Sequence, residues 1–281
     1  MKKFILFFVI MILALAFSPE KVWAQNDSSV FSALIASARK QPANTNWMLY
    51  FGRKLKGRPY VAHTLDKNKA ESLVVNLRQL DCTTFVEQIM ALRLCMKHHK
   101  YQYNDFCRFL QQIRYIDGNV AYSSRKHYFT LWIDNNQKNK IVRDFQSPNP
   151  PFSALQRLNI FYMSRHVNSY TMLKAHPEWL PSIRKMEQAL TGRTYRYIPK
   201  KLLSNSKLLS SVIYNGDIIA ILTNKKGLDT SHIGIAVWHK DGLHLLNASS
   251  IHHKVVEEPM TLYRYMQKHP SQIGIRVCRV L

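Results

Sequence analysis

Leu80-Asp81-Cys82-Thr83-Thr84-Phe85-Val86-Glu87 opens a helix. Asp81 is a strong N-cap residue, and Phe85, Ile89, Leu92 and Met96 recur at helical spacing up to about His98, so this face is expected in the core. The cap places Cys82 in the first turn, against the positive end of the helix dipole and beside amides that have no helical acceptor. Both effects favour a thiolate, the nucleophilic form of cysteine, and the Cys82 N–H itself can hold an oxyanion. A buried structural cysteine is the competing reading, and the rest of the chain has to decide.

A thiol nucleophile needs a base. His232 begins the alternating run His232-Ile233-Gly234-Ile235-Ala236-Val237, which reads as a strand. Asp241-Gly242 is a two-residue hairpin signal, and the strand after it returns Asn247 to the end where His232 lies. The Asn247 amide oxygen can then hold one tautomer of the imidazole. His98-His99 and His252-His253 are adjacent pairs that point apart, and no H-E-x-x-H or C-x-x-C occurs, so no metal is expected.

The remaining elements read as helices over 30–40, 47–55, 103–116, 178–190 and about 260–268, with Ser29 or Asp27 as the first cap. Strands are expected at 72–77, 194–198, 217–222, 232–238, 243–247 and 272–280, and residues 117–151 read as turn-rich. Helices come mainly first and antiparallel strands later, an α+β layout. Nine glycines in 281 residues, with no G-x-G-x-x-G or Walker motif, exclude the common nucleotide-binding signatures. A 46% hydrophobic composition is enough for a real core.

Lys2, Lys3, the apolar run Phe4–Phe17 and Val22-Trp23-Ala24 form a secretory signal peptide over 1–24, cut after Ala24. Its removal lowers the formal net charge from +23 to +21 and leaves a single catalytic domain over 25–281. Such a charge attracts polyanions. No nucleic-acid-binding signature accompanies it, so anionic cell-wall material or lipid headgroups are the expected partners. Cys95 and Cys107 lie in helical patterns and are expected to be small buried hydrophobes; neither they nor Cys278 show a disulfide framework.

The segment 81–87 resembles the D-C-S-G-F-V element of the NlpC-type cell-wall cysteine peptidases. Gly57-Arg58-Pro59-Tyr60-Val61 is similar to their G-x-P-Y-V element, Gly216-Asp217 to their G-D, and Ser231-His232-Ile233-Gly234-Ile235 to their S-H-V-G-I. Asn247 falls where that superfamily has its third polar residue. Thr83-Thr84 replaces Ser-Gly, no Trp-Gly follows the tyrosine, and 150 residues separate Cys82 from His232, which leaves room for an insertion over about 100–210. The run 80–87 and the R-x-H-Y-F-x-x-W element, Arg125 to Trp132, resemble a branch of N-acetylmuramoyl-L-alanine amidase-like proteins of Gram-negative bacteria.

The resemblance implies a papain-like α+β fold with the nucleophile helix packed on an antiparallel sheet. It implies cleavage of the amide between muramic (or anhydro-muramic) acid and L-alanine in muropeptides, in the periplasm or outside the cell. Cys82 would be the nucleophile, His232 the base, Asn247 its orienter and Tyr60 an oxyanion donor. Arg125, His127, Tyr128 and Trp132 are expected to bind the sugar, a satellite core being the competing reading. No cofactor, no nucleic acid and no lasting membrane anchor are expected, and the chain is expected to be a monomer. An endopeptidase cutting the γ-D-Glu–diaminopimelate bond shares the same triad, and a non-catalytic wall-binding module would explain the charge alone.

Overall fold

Asp81 caps its helix as the sequence predicts. The Thr84 amide donates to Asp81 Oδ1 at 2.8 Å, and the Asp81 amide donates to Thr84 Oγ1 at 3.0 Å, a reciprocal capping box. The computed structural model describes the backbone from residue 19 and the side chains from residue 27, in both cases to residue 281. The basic and apolar parts of the expected signal peptide lie outside the described residues. No described helix is long and apolar enough to cross a membrane.

In the first half of the chain the helices are α1 (Pro19–Ala38), α2 (Trp47–Lys54), α3 (Cys82–Lys97), α4 (Tyr103–Arg114) and α5 (Phe129–Lys138), followed by β1 (Val142–Asp144). Then come β2 (Ala154–Arg157), α6 (Tyr162–Arg165), α7 (Thr171–Ala175), α8 (Leu180–Leu190), β3 (Thr194–Pro199) and α9 (Ser206–Ser210). The chain closes with β4 (Ile218–Thr223), β5 (Thr230–His239), β6 (Gly242–Ser249), β7 (Lys254–Glu257), α10 (Leu262–Gln267) and β8 (Gln272–Val280). The strands form one antiparallel sheet in the order β2-β3-β8-β4-β5-β6-β7, with β1 also paired to β8.

Two-residue alternation gives this sheet two buried faces. Ile218, Ala220, Ile233, Ile235 and Val237 pack under α3 in the main core with Phe85, Ile89 and Leu92. Ile219, Ile221, Ala236, Leu245 and Val277 face the other way, into a second core closed by Leu262, Tyr265 and Met266 of α10. A third, smaller core joins Tyr122, Tyr128, Leu158, Met172, Ile183 and Leu190. It occupies part of the expected insertion, whereas Phe106, Leu110 and Ile113 of α4 belong to the main core.

Four expectations are corrected. Residues 72–77 are not a strand: the Asn76 and Leu77 amides donate to the side chains of Gln88 and Asp27, and Val74 O accepts from Arg114. Side chains, not a neighbouring strand, satisfy that backbone. The segment 117–151 contains α5 and β1, because Phe129, Trp132 and Ile133 recur at helical spacing and are buried. Asp27 and Ser29 lie inside α1 rather than capping it, and the buried Asp27 carboxylate accepts from Leu77 and Arg78. His239 pairs with Gly242, so the two turn residues are Lys240-Asp241 and Gly242 (φ 139°) already belongs to β6.

Candidate active site

The Cys82 helix meets the sheet where β5 lacks its second neighbour. The β5–β6 ladder begins only at Ile235↔Leu246, which leaves the Thr230–Gly234 end of β5 paired to β4 alone. There the Ile233 backbone faces the Cys82 thiol and favours its charged form, which brings residues 82 and 233 together. The register shifts at this end: Ile221 pairs with His232 and Leu222 with Thr230, so Ser231 is bulged out, a device that re-aims the adjoining side chains. Gly234 is required by contact, since a Cβ there would lie 2.8 Å from the Leu245 side chain and 2.9 Å from the Leu246 carbonyl.

Asn247, fully buried on β6, holds His232 with its Oδ1 2.8 Å from His232 Nε2. Tyr60 arrives on an extended segment that bridges Leu80, with its amide donating to His253 O at 3.0 Å. This bridge sets the phenol beside the first turn of α3. Among the described residues no hydrogen bond joins the Cys82 sulfur to the His232 ring. Asn247 orients the His232 ring, and His232 is the chain neighbour of Ile233 on β5.

The electrostatics differ from the expectation of a thiolate at the helix terminus. Burial, then the Asp81 charge, pushes the Cys82 thiol up to about 12, and the donors from Ile233 and Thr83 only partly oppose this. Burial also pushes the His232 imidazole down, against the Asn247 hydrogen bond and the charges of Glu258 and Asp81. Both directions favour the uncharged thiol and the uncharged imidazole. Tyr60 is raised to about 12 by burial and by Cys82 and Asp81, so its phenol keeps a proton to donate.

A cavity of about 290 Å³ adjoins the thiol, lined by Tyr60, His63, Asp66, Cys82, Arg114, Arg125 and His127 among others. Arg125 sits in its wall, 2.8 Å from Asp66 and 3.1 Å from Glu71, with its guanidinium 4.7 Å from the Tyr122 ring centre. His127 Nε2 lies 2.8 Å from Tyr122 O, and burial, with Arg125 adding, pushes the ring down to about 3. Tyr128 and Trp132 correct the expected sugar site. Tyr128 is buried, its hydroxyl donating to Glu187 at 2.6 Å, and Trp132 has 0% exposure, stacked on Phe129 in the main core. Tyr128, the residue just ahead of α5, and Trp132 within it both point into the interior.

A larger cavity, about 590 Å³, lies at the other end of α3 around Leu94, His98 and Phe109, and it carries no thiol. Of the described residues, His239, Asp241 and His244 are the group that could approach a metal ion. The two imidazoles stack with centres 4.2 Å apart and planes 26° apart, so their in-plane lone pairs do not converge. Cys82, Cys95, Cys107 and Cys278 are all free thiols; Cys95 and Cys278 are buried, whereas Cys107 is only partly so.

Sequence reasoning missed Glu258. It is 2% exposed, accepts from Asn247 Nδ2 at 3.1 Å on Oε1, and lies 3.1 Å from His252 Nε2 through Oε2. The one available signal was an acidic residue just beyond β7, at Glu257-Glu258-Pro259, with nothing to say which way it turns.

The α+β frame, with its helices on one antiparallel sheet, is that of amidase-like proteins. Residues 50–275 match the model of the AmiA-like family, described as N-acetylmuramoyl-L-alanine amidase-like, and the chain belongs to that family. An N-acetylmuramoyl-L-alanine amidase from Bacteroides uniformis is 40% identical, with 83% of this chain and 97% of that one covered and a TM-score of 0.77. A Bacteroides fragilis protein described as a candidate xylanase is 42% identical, covering 83% and 100%, also at 0.77. A Legionella pneumophila protein shares the fold at 22% identity and a TM-score of 0.72, over 92% of this chain and 96% of that one. No curated protein matches the chain.

Proposed function

We propose that the chain is a cysteine-dependent N-acetylmuramoyl-L-alanine amidase that cuts muropeptides between the lactyl carbonyl of muramic acid and L-alanine. The observation that carries this reading is the placement of Cys82 at the start of α3, facing the Ile233 backbone, next to the strand position where His232 is held 2.8 Å from Asn247. Family membership supports an amidase acting on peptidoglycan. Extracytoplasmic action of residues 25–281 as one catalytic domain, behind a cleaved leader, fits that substrate.

Because Nε2 of His232 is engaged by Asn247, Nδ1 is the nitrogen that takes the thiol proton. Substrate binding draws the Cys82 sulfur and Nδ1 into contact, since catalytic hydrogen bonds in free enzymes are often long. The sulfur attacks the lactyl carbonyl carbon while its proton passes to Nδ1. The Cys82 amide and the Tyr60 hydroxyl hold the oxyanion, a contribution of about 3 kcal/mol per donor. His232 then gives the proton to the leaving L-alanine nitrogen, and water, activated by the same imidazole, resolves the muramoyl thioester. Arg125 and His127 in the cavity wall are the side chains left to meet the glycan.

The test is to incubate anhydro-muramoyl peptide and the matching free stem peptide separately and weigh the products. The reading expects intact stem peptide from the first and no reaction with the second. Release of L-Ala-D-Glu from the free peptide would transfer the assignment to the γ-D-Glu–diaminopimelate endopeptidase.

A further inference from the structure

His232 owes its orientation to Asn247, and the amide of Asn247 has two possible orientations that differ only in which end faces the imidazole. With Oδ1 toward His232, the ring must carry hydrogen on Nε2 and leaves Nδ1 bare. With Nδ2 toward His232, the ring must accept on Nε2 and would carry its hydrogen on Nδ1, useless as a base. The choice between these orientations decides whether the site works.

We propose that Glu258 is a positioning residue of this site, whose carboxylate fixes the Asn247 amide and, through it, the tautomer of His232. A carboxylate only accepts, so the group 3.1 Å from Glu258 Oε1 must be the Asn247 amino end. A flipped amide would set two acceptor oxygens against each other in a place where Asn247 has 0% and Glu258 2% exposure. Leu245 O and Val256 O, at 3.4 and 3.5 Å, also receive the amino end. The second carboxylate oxygen lies 3.1 Å from Nε2 of the partly exposed His252, so the carboxylate is held from both sides, and swinging away would leave the buried Asn247 amino end without its acceptor. The Glu258 amide donates to Leu245 O at 2.9 Å, which anchors its backbone to the same strand that carries Asn247.

This inference rests on the amidase reading for its consequence, but its test does not need a substrate. The imidazole nitrogens of His232 are read by ¹⁵N NMR of the labelled full chain at a pH where the ring is neutral, the signals being assigned by their loss in His232→Gln. The wild type should show hydrogen on Nε2 and a bare Nδ1. In Glu258→Gln, whose amide can accept or donate, both orientations of Asn247 become available and the signals should move toward a mixture of tautomers. Turnover should then fall about ten- to a hundredfold with KM little changed, short of the roughly 10⁴ that a wholly wrong tautomer costs. Hydrogen on Nδ1 in the wild type overturns the proposal even if the variant does not fold, and so does an unchanged tautomer in a folded Glu258→Gln. Failure of the wild type to hydrolyse muropeptides strikes the amidase reading alone, because the tautomer signals still decide the role of Glu258.

Discussion

Asn247 Oδ1 lies 2.8 Å from His232 Nε2, and this contact leaves Nδ1 as the free nitrogen of the imidazole, the one the proposed mechanism gives to the thiol. Removing the imidazole removes the base, whereas removing the amide only loosens a tautomer that still forms part of the time. His232→Ala should therefore lose about 10³-fold or more in kcat, and Asn247→Ala about ten- to a hundredfold. His244, three residues earlier, faces the carbonyl of Glu258 and the carboxylate of Asp241. Steady-state rates in which His244→Ala is the worse of the two strand variants would contradict the assignment of Asn247.

The pH profile follows from the same burial. Desolvation pushes His232 down, His269 adds to it, and the Asn247 bond with the charges of Glu258 and Asp81 opposes it. The Cys82 thiol, raised to about 12, adds no charge of its own at neutral pH. In the proposed mechanism the neutral imidazole is the working form. Activity should be full above about pH 6.5 and fall only as the pH drops through a limb below that ordinary histidine value. A kcat/KM limb at or above 6.5 would contradict this account.

His127 links pH to stability. Its folded-state value is depressed to about 3 by burial and by Arg125, against about 6.5 unfolded. Below 6.5 the unfolded chain takes a proton that the folded chain refuses, so stability is present above 6.5 and is lost toward 3, by up to about 1.4 kcal/mol per pH unit. The drop in Tm between pH 7 and pH 4 should be smaller in His127→Gln than in the wild type. Parallel drops would show that the ring is protonated in the fold.

Trp132 and Phe129 stack with ring centres 4.7 Å apart inside the main core. Trp132→Ala should cost about 3–5 kcal/mol in urea unfolding. The folded fraction should keep a near-normal KM for muropeptide, because the ring touches no substrate. A raised KM with unchanged stability would return Trp132 to the sugar site.

What was legible in the chain was mostly local. Asp81 and Thr84 are three residues apart and form their capping box without help from elsewhere. The alternation of β5 and a two-residue turn placed Asn247 near His232 even though the turn lies one residue earlier than Asp241-Gly242 suggests. What failed depended on partners far away in sequence. Residues 72–77 look like a strand until Asp27, Gln88 and Arg114 are seen to satisfy their backbone. Tyr128 and Trp132 look like a sugar platform until both are seen to point into the interior. Glu258 could not be found because β6–β7 register, with Asn247 opposite Val256, is what carries it to the Asn247 amide. The helix-terminus argument for a Cys82 thiolate had the right geometry but left out burial and the Asp81 charge, both of which push the thiol up.

The central claim is that the Cys82 sulfur opens the muramoyl–alanine amide. The most direct measurement compares wild type with Cys82→Ala on one anhydro-muramoyl tripeptide, with the products identified by mass. The account predicts free anhydro-muramic sugar and intact tripeptide from the wild type, with no product from a Cys82→Ala chain that still melts cooperatively. The same two products from Cys82→Ala, or a wild-type cut between D-Glu and diaminopimelate, would contradict it.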